Sequence, residues 1–308
     1  MKAVQIREFG SPDRLQVTEA PPPAAPGPGQ VLVQVIAASV NPFDEFTVTG
    51  GLEAIIPLTL PVTVGGDFAG IVQDVGPGVQ NVRVGDAVIG QAHAALGGSG
   101  TFAELALAPA ALTAQAPAAI DLVQAAGLPL AGASALQALH TLEVGPSSTI
   151  VVLGGGGAVG SIGVQAAKNL GATVIADASA EDVDYVRSIG ADEVYDYADR
   201  SWVERIRGVD GILDASPGVD PVVYYPMLKP SARFVSLRTT HDPVRAAEAG
   251  IDVISQSTYP NTELLSEVAG LVDAGVIKQR IAAIFPAAHT KAAFAAAAIA
   301  HGKCLVTF

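Results

Sequence analysis

Between residues 2 and 107 the apolar positions, many of them β-branched, fall in short runs at 2–6, 15–19, 31–37, 68–75, 87–89 and 102–107. Runs of this length, rich in Val and Ile, predict short strands. Glycine and proline separate them. Pro21-Pro22-Pro23 followed by Pro26-Gly27-Pro28-Gly29 makes a stiff connector and a turn, and Gly76-Pro77-Gly78 and Gly97-Gly98 mark further turns. Many short strands with turn chemistry between them predict a barrel-like or sandwich-like domain. Near Asp121 the period changes. Helical stretches at 125–142, 159–170 and 180–189 alternate with apolar strands at 149–153, 173–176, 211–214 and 232–236. That alternation predicts a parallel sheet with helices on both faces. A helix at 264–274, a strand at 281–285, an alanine-rich helix around 292–300 and a closing strand at 303–308 complete the chain.

The last two strands follow the α/β block with no crossover left to make, so the chain is expected to return to the β-rich domain. The division is then 1–120 with 275–308 for the β-rich domain and 121–274 for the α/β domain. A chain of 308 residues fits two domains of roughly 150 residues each. Composition narrows the function. Half of the residues are hydrophobic and 15% are charged, which excludes a disordered or fibrous chain. Lys and Arg number 17 against 30 Asp and Glu, a net charge of −13. Such a surface repels phosphate backbones and anionic lipid, so neither nucleic acid nor membrane is an expected partner. A single cysteine, Cys304, makes no internal disulfide and no multi-cysteine zinc site, and reads as a small buried apolar residue. The apolar stretch 122–139 is broken by Gln124, Gly127, Pro129, Gly132 and Gln137 and reads as a core helix, not a membrane span. With no basic segment leading into an apolar run at the start, a cytoplasmic location is expected.

The motif that carries chemistry is Ile150-Val151-Val152-Leu153-Gly154-Gly155-Gly156-Gly157-Ala158-Val159-Gly160. An apolar strand enters a glycine turn and leaves as a helix, with Gly154, Gly157 and Gly160 spaced G-x-x-G-x-x-G. A tight turn, close approach of the backbone to a pyrophosphate, and close packing of helix on strand all require small residues there. The anion would rest on the free N–H groups of Ala158, Val159 and Gly160 at the helix start. No Gly-Lys-Ser/Thr follows, so the motif reads as a dinucleotide site, with a structural turn as the alternative, and not as a triphosphate P-loop. The strand at 173–176 ends in Asp177-Ala178-Ser179. An acid there accepts hydrogen bonds from an adenosine ribose and favours NAD, whereas a serine with a nearby cation suits the 2′-phosphate of NADP. The alternative for Asp177 is a loop acid facing solvent.

These residues resemble the medium-chain dehydrogenase/reductase superfamily, in its zinc-independent quinone oxidoreductase branch, over essentially the whole chain. Pro28-Gly29-Gln30-Val31-Leu32-Val33 resembles the opening of a GroES-like catalytic domain. Ser39-Val40-Asn41-Pro42-Phe43-Asp44 matches a V-N-P-x-D signature, and Leu60-Pro61 with Gly65-Gly66-Asp67-Phe68-Ala69-Gly70 matches L-P-x-x-x-G-x-D-F-A-G. Leu128-Pro129-Leu130-Ala131-Gly132 with Ser134 resembles the helix leading to the nicotinamide, and Gly190-Ala191-Asp192-Glu193-Val194 with Asp196-Tyr197 resembles G-A-D-x-V-x-D-Y. The fold class implied is α/β, a Rossmann-type parallel-sheet domain beside a GroES-like β-rich domain. Zinc alcohol dehydrogenases place a cysteine ligand where Asn41 stands and a histidine where Gly66 stands. Those ligands are missing, and His93, His140, His241, His289 and His301 show no ligand spacing. The resemblance therefore implies hydride transfer without a metal, to an electron-poor conjugated small molecule.

By the same resemblance Asn41 and Asp44 are the candidate catalytic residues near the nicotinamide, and Phe43 and Phe46 the candidate apolar walls of the substrate pocket. Asn41 as a helix cap and Asp44 as a first-turn acid are the structural alternatives. For Phe43 and Phe46 it is ordinary core packing. Ser134, Ser216 and Gly218 are candidates for the nicotinamide side and Tyr197 for the 2′-phosphate, with internal hydroxyl bonding and ordinary turns as the alternatives. Many relatives carry arginine at Val48, tyrosine at Phe46 and a basic residue at Glu181. Their loss here favours quinone reduction, whose product oxygens take protons from water, over enoyl or enone reduction, which needs a proton on carbon. A dinucleotide-binding sensor without turnover is the third reading. Asp177, Glu181 and Asp182, with no Lys or Arg between Ala172 and Val186, weigh against a 2′-phosphate. Ser179, Tyr197 and a loop arginine such as Arg200 or Arg238 weigh for it. The balance is NADPH, with NADH as the alternative, a modest preference expected to widen when Asp177 is removed. A homodimer is expected from the resemblance.

Overall fold

A computed structural model of the chain describes residues 1–53, 56–216, 220–237 and 242–308. In chain order the first elements are β1 (Lys2–Ile6), β2 (Gln16–Glu19), β3 (Gln30–Ser39), α1 (Pro42–Val48), β4 (Val62–Thr63), β5 (Asp67–Val75), β6 (Ala87–Gln91), β7 (Leu105–Pro109), β8 (Thr113–Gln115) and α2 (Leu122–Ala125). Then come α3 (Leu128–Thr141), β9 (Thr149–Leu153), α4 (Ala158–Asn169), β10 (Thr173–Ala178), α5 (Val183–Ser188), β11 (Glu193–Asp196), β12 (Val209–Asp214) and β13 (Leu228–Ser236). The last are α6 (Pro243–Glu248), β14 (Asp252–Ser255), α7 (Thr262–Asp273), β15 (Ile281–Pro286), α8 (Thr290–Ala297) and β16 (Lys303–Thr307).

The chain divides into two compact units. The first takes Met1–Leu130, Pro260–Gly275 and Gln279–Phe308. It holds an antiparallel sheet in the order β2-β1-β4 and a seven-stranded sheet in the order β15-β16-β3-β5-β6-β8, with β7 also paired to β3. Val31, Val33, Val35 and Ala37 alternate along β3 and are all buried. They pack with Phe68, Val72 and Val88 in one core. Gly70 lets β5 close on β3, because a Cβ there would lie 2.1 Å from the Gln34 carbonyl oxygen. A second core gathers Val4, Ile6, Phe102, Phe294 and Val306. The closing strand β16 joins it by pairing antiparallel with β3, Leu305 opposite Ser39.

The second unit takes Ala131–Tyr259 and Val276–Lys278. Its six strands are all parallel, in the order β11-β10-β9-β12-β13-β14. The run Thr149-Ile150-Val151-Val152-Leu153 is almost wholly apolar because β9 lies mid-sheet and both its faces are covered. The chain leaves β9 toward β10 and β11 on one side and returns to β12 on the other. The switch point between β9 and β12 opens the crevice where parallel sheets bind ligands, at the strands' carboxyl ends. Trp202, Tyr224, Tyr225 and Phe234 fill the core on one face.

Several elements differ from the sequence pattern, β4, β8 and α6 among them. The single helix read over 125–142 is two, because Pro129 near the start of α3 has no N–H to continue α2. Strands β11 and β14 were hidden: each is four residues with a polar residue at either end, and each is an edge of its sheet, where the apolar signal is weakest. Helix α1, seven residues opening on Pro42, is too short to show a period.

Candidate active site

The glycine loop of the second unit is built from its tightest contacts outward. Gly154 turns at φ +76°, a conformation that side chains rarely adopt. A Cβ on Gly160 would stand 2.1 Å from the Gly154 carbonyl oxygen, and one on Gly156 would stand 2.5 Å from Asp182 Oδ2. Asp177, next to last in β10 and 2% exposed, accepts the Gly154 N–H at 2.6 Å through Oδ1, and its carbonyl accepts the Gly155 N–H at 2.8 Å. The first intrahelical bond of α4 runs from Ser161 N–H to Gly157 O. Ala158, Val159 and Gly160 therefore present N–H groups with no acceptor inside the helix. At Gly157 a Cβ meets, among the described residues, only the Gly154 carbonyl oxygen, at 3.3 Å. Free donors at a helix start are what a pyrophosphate needs.

Around the loop, Ser179 Oγ is buried with no hydrogen-bond partner, just past the end of β10. The exposed Tyr197 ring follows β11, its N–H held by Ala178 O at 3.0 Å. Arg200 opens a 3-10 turn, Arg200–Glu204, and its charge reaches Asp177 and Tyr224. Burial, then the neighbouring Asp214, pushes the Asp177 carboxyl up to about 6, against the Gly154 hydrogen bond and Arg200. Burial and Asp177 push the Tyr224 hydroxyl up to about 12. Ser216 donates from N and Oγ to Asp214 Oδ1 at 3.0 and 2.7 Å, and its backbone abuts Gly154. Ser134 Oγ pairs with Thr258 Oγ1 at 2.7 Å, so α3 holds the segment after β14. Gly218, Arg238 and His241 lie outside the described residues.

In the first unit the start of α1 sits on a buried polar cluster. Asp44 Oδ2 accepts the Asn41 N–H at 2.7 Å, closing the helix start from the third helical position. The Asn41 amide nitrogen donates to Ser39 O, Ser39 Oγ and Asp67 Oδ2, and its oxygen accepts from Lys303 Nζ. Asp67 also accepts from Ser39 Oγ, Gln91 Nε2 and the Leu130 N–H. His93 accepts the Ala95 N–H on Nδ1, so its proton is on Nε2, which donates to Thr47 Oγ1; that hydroxyl donates in turn to Phe43 O. Burial holds the imidazole down to about 4. The Phe43 ring meets His93 edge-on at 4.6 Å between centroids. Phe46 is 42% exposed and lies 6.4 Å from Phe43, over Gly51, which has no side chain to obstruct it.

Residues 27–118 match the alcohol dehydrogenase GroES-like domain, and residues 158–262 match the zinc-binding dehydrogenase domain. The chain is 30% identical to the chloroplast envelope quinone oxidoreductase homolog of Arabidopsis thaliana, over 99% of this chain and 98% of that protein. The chain belongs to the medium-chain dehydrogenase/reductase superfamily, in its quinone oxidoreductase-like family. Another relative, the chloroplastic NADPH-dependent alkenal/one oxidoreductase of Arabidopsis thaliana, is 35% identical over 77% of this chain and 62% of its own length. The solved quinone oxidoreductase of Coxiella burnetii superposes with a TM-score of 0.88, at 29% identity, over 100% of this chain and 99% of that one. The family is one of oxidoreductases, and the second unit is its dinucleotide-binding domain for a nicotinamide cofactor. Among the described residues no helix is long and apolar enough to cross a membrane, and no group of three or more His, Cys, Asp or Glu side chains is arranged to hold a metal.

Within this family frame the candidate residues sort by place. Gly154, Gly157, Ala158, Val159 and Gly160 come together in the loop, with Asp177, Ser179, Tyr197 and Ser216 around the ends of β10, β11 and β12. Asp177 is neither a solvent-facing loop acid nor a carboxylate held outward. It is turned in on the Gly154 N–H, because the sharp turn leaves that donor without a backbone acceptor. Asn41 and Asp44 likewise spend their hydrogen bonds inside the protein, where both side chains are buried. Sequence reasoning gave no role to Asp67, Lys303 or His93. Lys303 left a signal: it is a charge at the head of an apolar strand, Lys303-Cys304-Leu305-Val306.

Proposed function

We propose that this chain is an NADPH-dependent reductase of quinones that works without zinc. The observation that carries the reading is the glycine turn into α4, whose first turn leaves the N–H groups of Ala158, Val159 and Gly160 without acceptors inside the helix. Those groups take the pyrophosphate, and Asp177 keeps the turn in shape from behind. Ser179 Oγ supplies a donor and Arg200 a cation for the 2′-phosphate, which normally recruits one. Tyr197 lines the same end of the sheet, with Ser134, Ser216 and Gly218 assigned to the nicotinamide side. The bound nicotinamide supplies a hydride. Phe43 and Phe46 present an apolar wall suited to a flat conjugated ring. Asn41 and Asp44 act as positioning residues that fix the start of α1, which carries both rings.

The absence of zinc rests on residue identity. Asn41 and Gly66 stand where the zinc-dependent members hold cysteine and histidine, and an amide and a glycine are not ligands for that ion. A quinone suits such a site because its reduced oxygens take protons from solvent without a placed donor. The relative named as an alkenal/one oxidoreductase supports an enone acceptor as the second reading. A homodimer completes the proposal, with β14, one of the two edges of the described parallel sheet, to pair on. So does a cytoplasmic location.

The test is oxidation of NADPH and of NADH, side by side, against a panel of quinones and enones, before and after chelation. Quinone turnover with NADPH preferred about tenfold, unaffected by chelator, is expected. Turnover of enones alone moves the assignment to the second reading. Activity lost to a chelator, with stoichiometric zinc in the active protein, overturns the metal-free reading. Binding of either cofactor with no turnover on any acceptor overturns the enzyme reading.

A further inference from the structure

The cluster beneath α1 contains three ionisable groups that the reaction does not use: Asp44, Asp67 and Lys303. All are buried, Asp44 to 1% and Lys303 to 5% exposure. Their hydrogen-bond partners are unequal. Asp67 accepts four donors: Ser39 Oγ at 2.9 Å, Asn41 Nδ2 at 3.0 Å, Gln91 Nε2 at 2.7 Å and the Leu130 N–H at 3.2 Å. These donors occupy both oxygens of the side chain. Lys303 Nζ faces acceptors, the Asn41 carboxamide oxygen and Ser39 Oγ. The amide is oriented by Asp67: a carboxylate can only accept, so Nδ2 must face it and Oδ1 must face the ammonium. Asp44 differs. Its Oδ2 takes one backbone N–H; its Oδ1 is buried beside the Gly66 backbone, whose weak pull favours the charge, and has no hydrogen bond of normal geometry among the described residues. A bare carboxylate oxygen there would cost far more than a neutral acid. Asp67 on β5 and Lys303 on β16 are the charged groups acting on Asp44, and His93, which faces it across Gly66 from after β6, is held neutral.

We propose that Asp44 is a carboxylic acid that holds its proton up to the edge of neutral pH, leaving Lys303 and Asp67, among the described residues, as the charged pair of a net-neutral cluster, and that Lys303 is thereby a built-in cation positioning Asn41 and the start of α1. Asn41 stands where the zinc-dependent relatives put a metal ligand, and here its carboxamide answers to an ammonium from the last strand. Ionising Asp44 puts a second buried negative charge against one cation. Burial and Asp67 push its carboxyl up to about 7, so the ionisation falls at neutrality. A group whose folded value lies above its unfolded value weakens the fold as pH rises toward that folded value. Ionisation of Asp44 therefore takes stability from the first unit as pH climbs from about 4 to about 7, opposite in sign to the contribution of His93.

The test uses the full chain with isotopically labelled aspartate. Infrared spectra at mildly acid pH are expected to show a protonated-carboxyl carbonyl band that Asp44→Asn removes and Asp67→Asn leaves. Asp44→Asn is expected to melt within about 3 °C of the native chain at that pH and to gain on it as pH rises to about 7. Asp67→Asn and Lys303→Met, each leaving one buried charge unpaired, are expected to melt about 10 °C lower or more. The double variant Asp67→Asn/Lys303→Met removes both charges and should recover part of that loss, which a merely structural lysine would not do. An unchanged band in Asp44→Asn overturns the proposal. So does a melting loss in Asp44→Asn as large as that in Asp67→Asn, or a double variant no better than the worse single one. If the single variants at 67 and 303 do not fold, the infrared band and the pH response of Asp44→Asn still decide.

Discussion

Gly157→Val is expected to abolish dinucleotide binding in a chain that still folds. The backbone at Gly157 has φ −77° and ψ 173°, which any residue adopts, and it caps α4 without a side-chain bond. A Cβ there meets one atom, the Gly154 carbonyl oxygen at 3.3 Å, and a shift of a few tenths of an ångström relieves it. Exchanging a tolerated capping residue for a poor one costs about 1 kcal/mol. The melting temperature should fall by only about 2–4 °C. The valine methyl groups, by contrast, occupy the space in front of the Ala158, Val159 and Gly160 N–H groups. Hydrogen bonds to a charged group contribute about 1.5–3 kcal/mol each. Losing two of them is worth about 3–6 kcal/mol, or roughly two to four orders of magnitude in Kd. Titration calorimetry with NADPH and NADH measures this, with a melting curve on the same sample. Gly160→Ala is the contrast, because its Cβ would lie 2.1 Å from backbone oxygen and must displace the turn itself. A folded Gly157→Val chain with unchanged affinity for both cofactors would refute the placement of the pyrophosphate.

Three further predictions follow from the same geometry. Asp177→Ala frees the Gly154 N–H and should weaken NADPH and NADH alike, by about tenfold, in place of the widened NADPH preference read from the sequence; a loss confined to NADH would make Asp177 a ribose acid after all. Arg200→Ala should cost NADPH about tenfold, or 1.4 kcal/mol, and leave NADH unchanged, as read from the two Kd values; equal losses would remove Arg200 from the 2′-phosphate. His93, held neutral at about 4 against an ordinary value of 6.5, makes the fold lose stability as pH falls from about 6.5 to about 4, by up to about 3 kcal/mol. Denaturant unfolding across that window should slope less steeply in His93→Gln, and identical slopes would show that His93 takes up its proton without cost.

Much of the site was legible because its chemistry is local. The run from Ile150 to Gly160 spells strand, turn and helix within a few residues, and Gly154, Gly157 and Gly160 are where the turn and the helix packing demand them. The alternatives for Asn41 and Asp44, a helix cap and a first-turn acid, were also legible, since both describe neighbours in the chain. The Asp177 bond to the Gly154 N–H was not legible because its partner is chosen by folding: only when β10 lies beside β9 does that N–H arrive at its carboxylate. The short edge strands β11 and β14 were not visible, since an edge buries too little to impose a period.

The sequence by itself determined which stretches form strands and helices, where the parallel block begins, and that a glycine turn opens a helix for an anion. These follow from periodicity and backbone freedom, which act within a turn or a strand. Tertiary structure alone decided which charges live together. Lys303 is 262 residues from Asn41 and 236 from Asp67 along the chain, and they meet because β16 pairs with β3 and β3 with β5. Whether a buried carboxyl keeps its proton depends on the count of donors brought to it from those strands, and no window of the sequence holds that count.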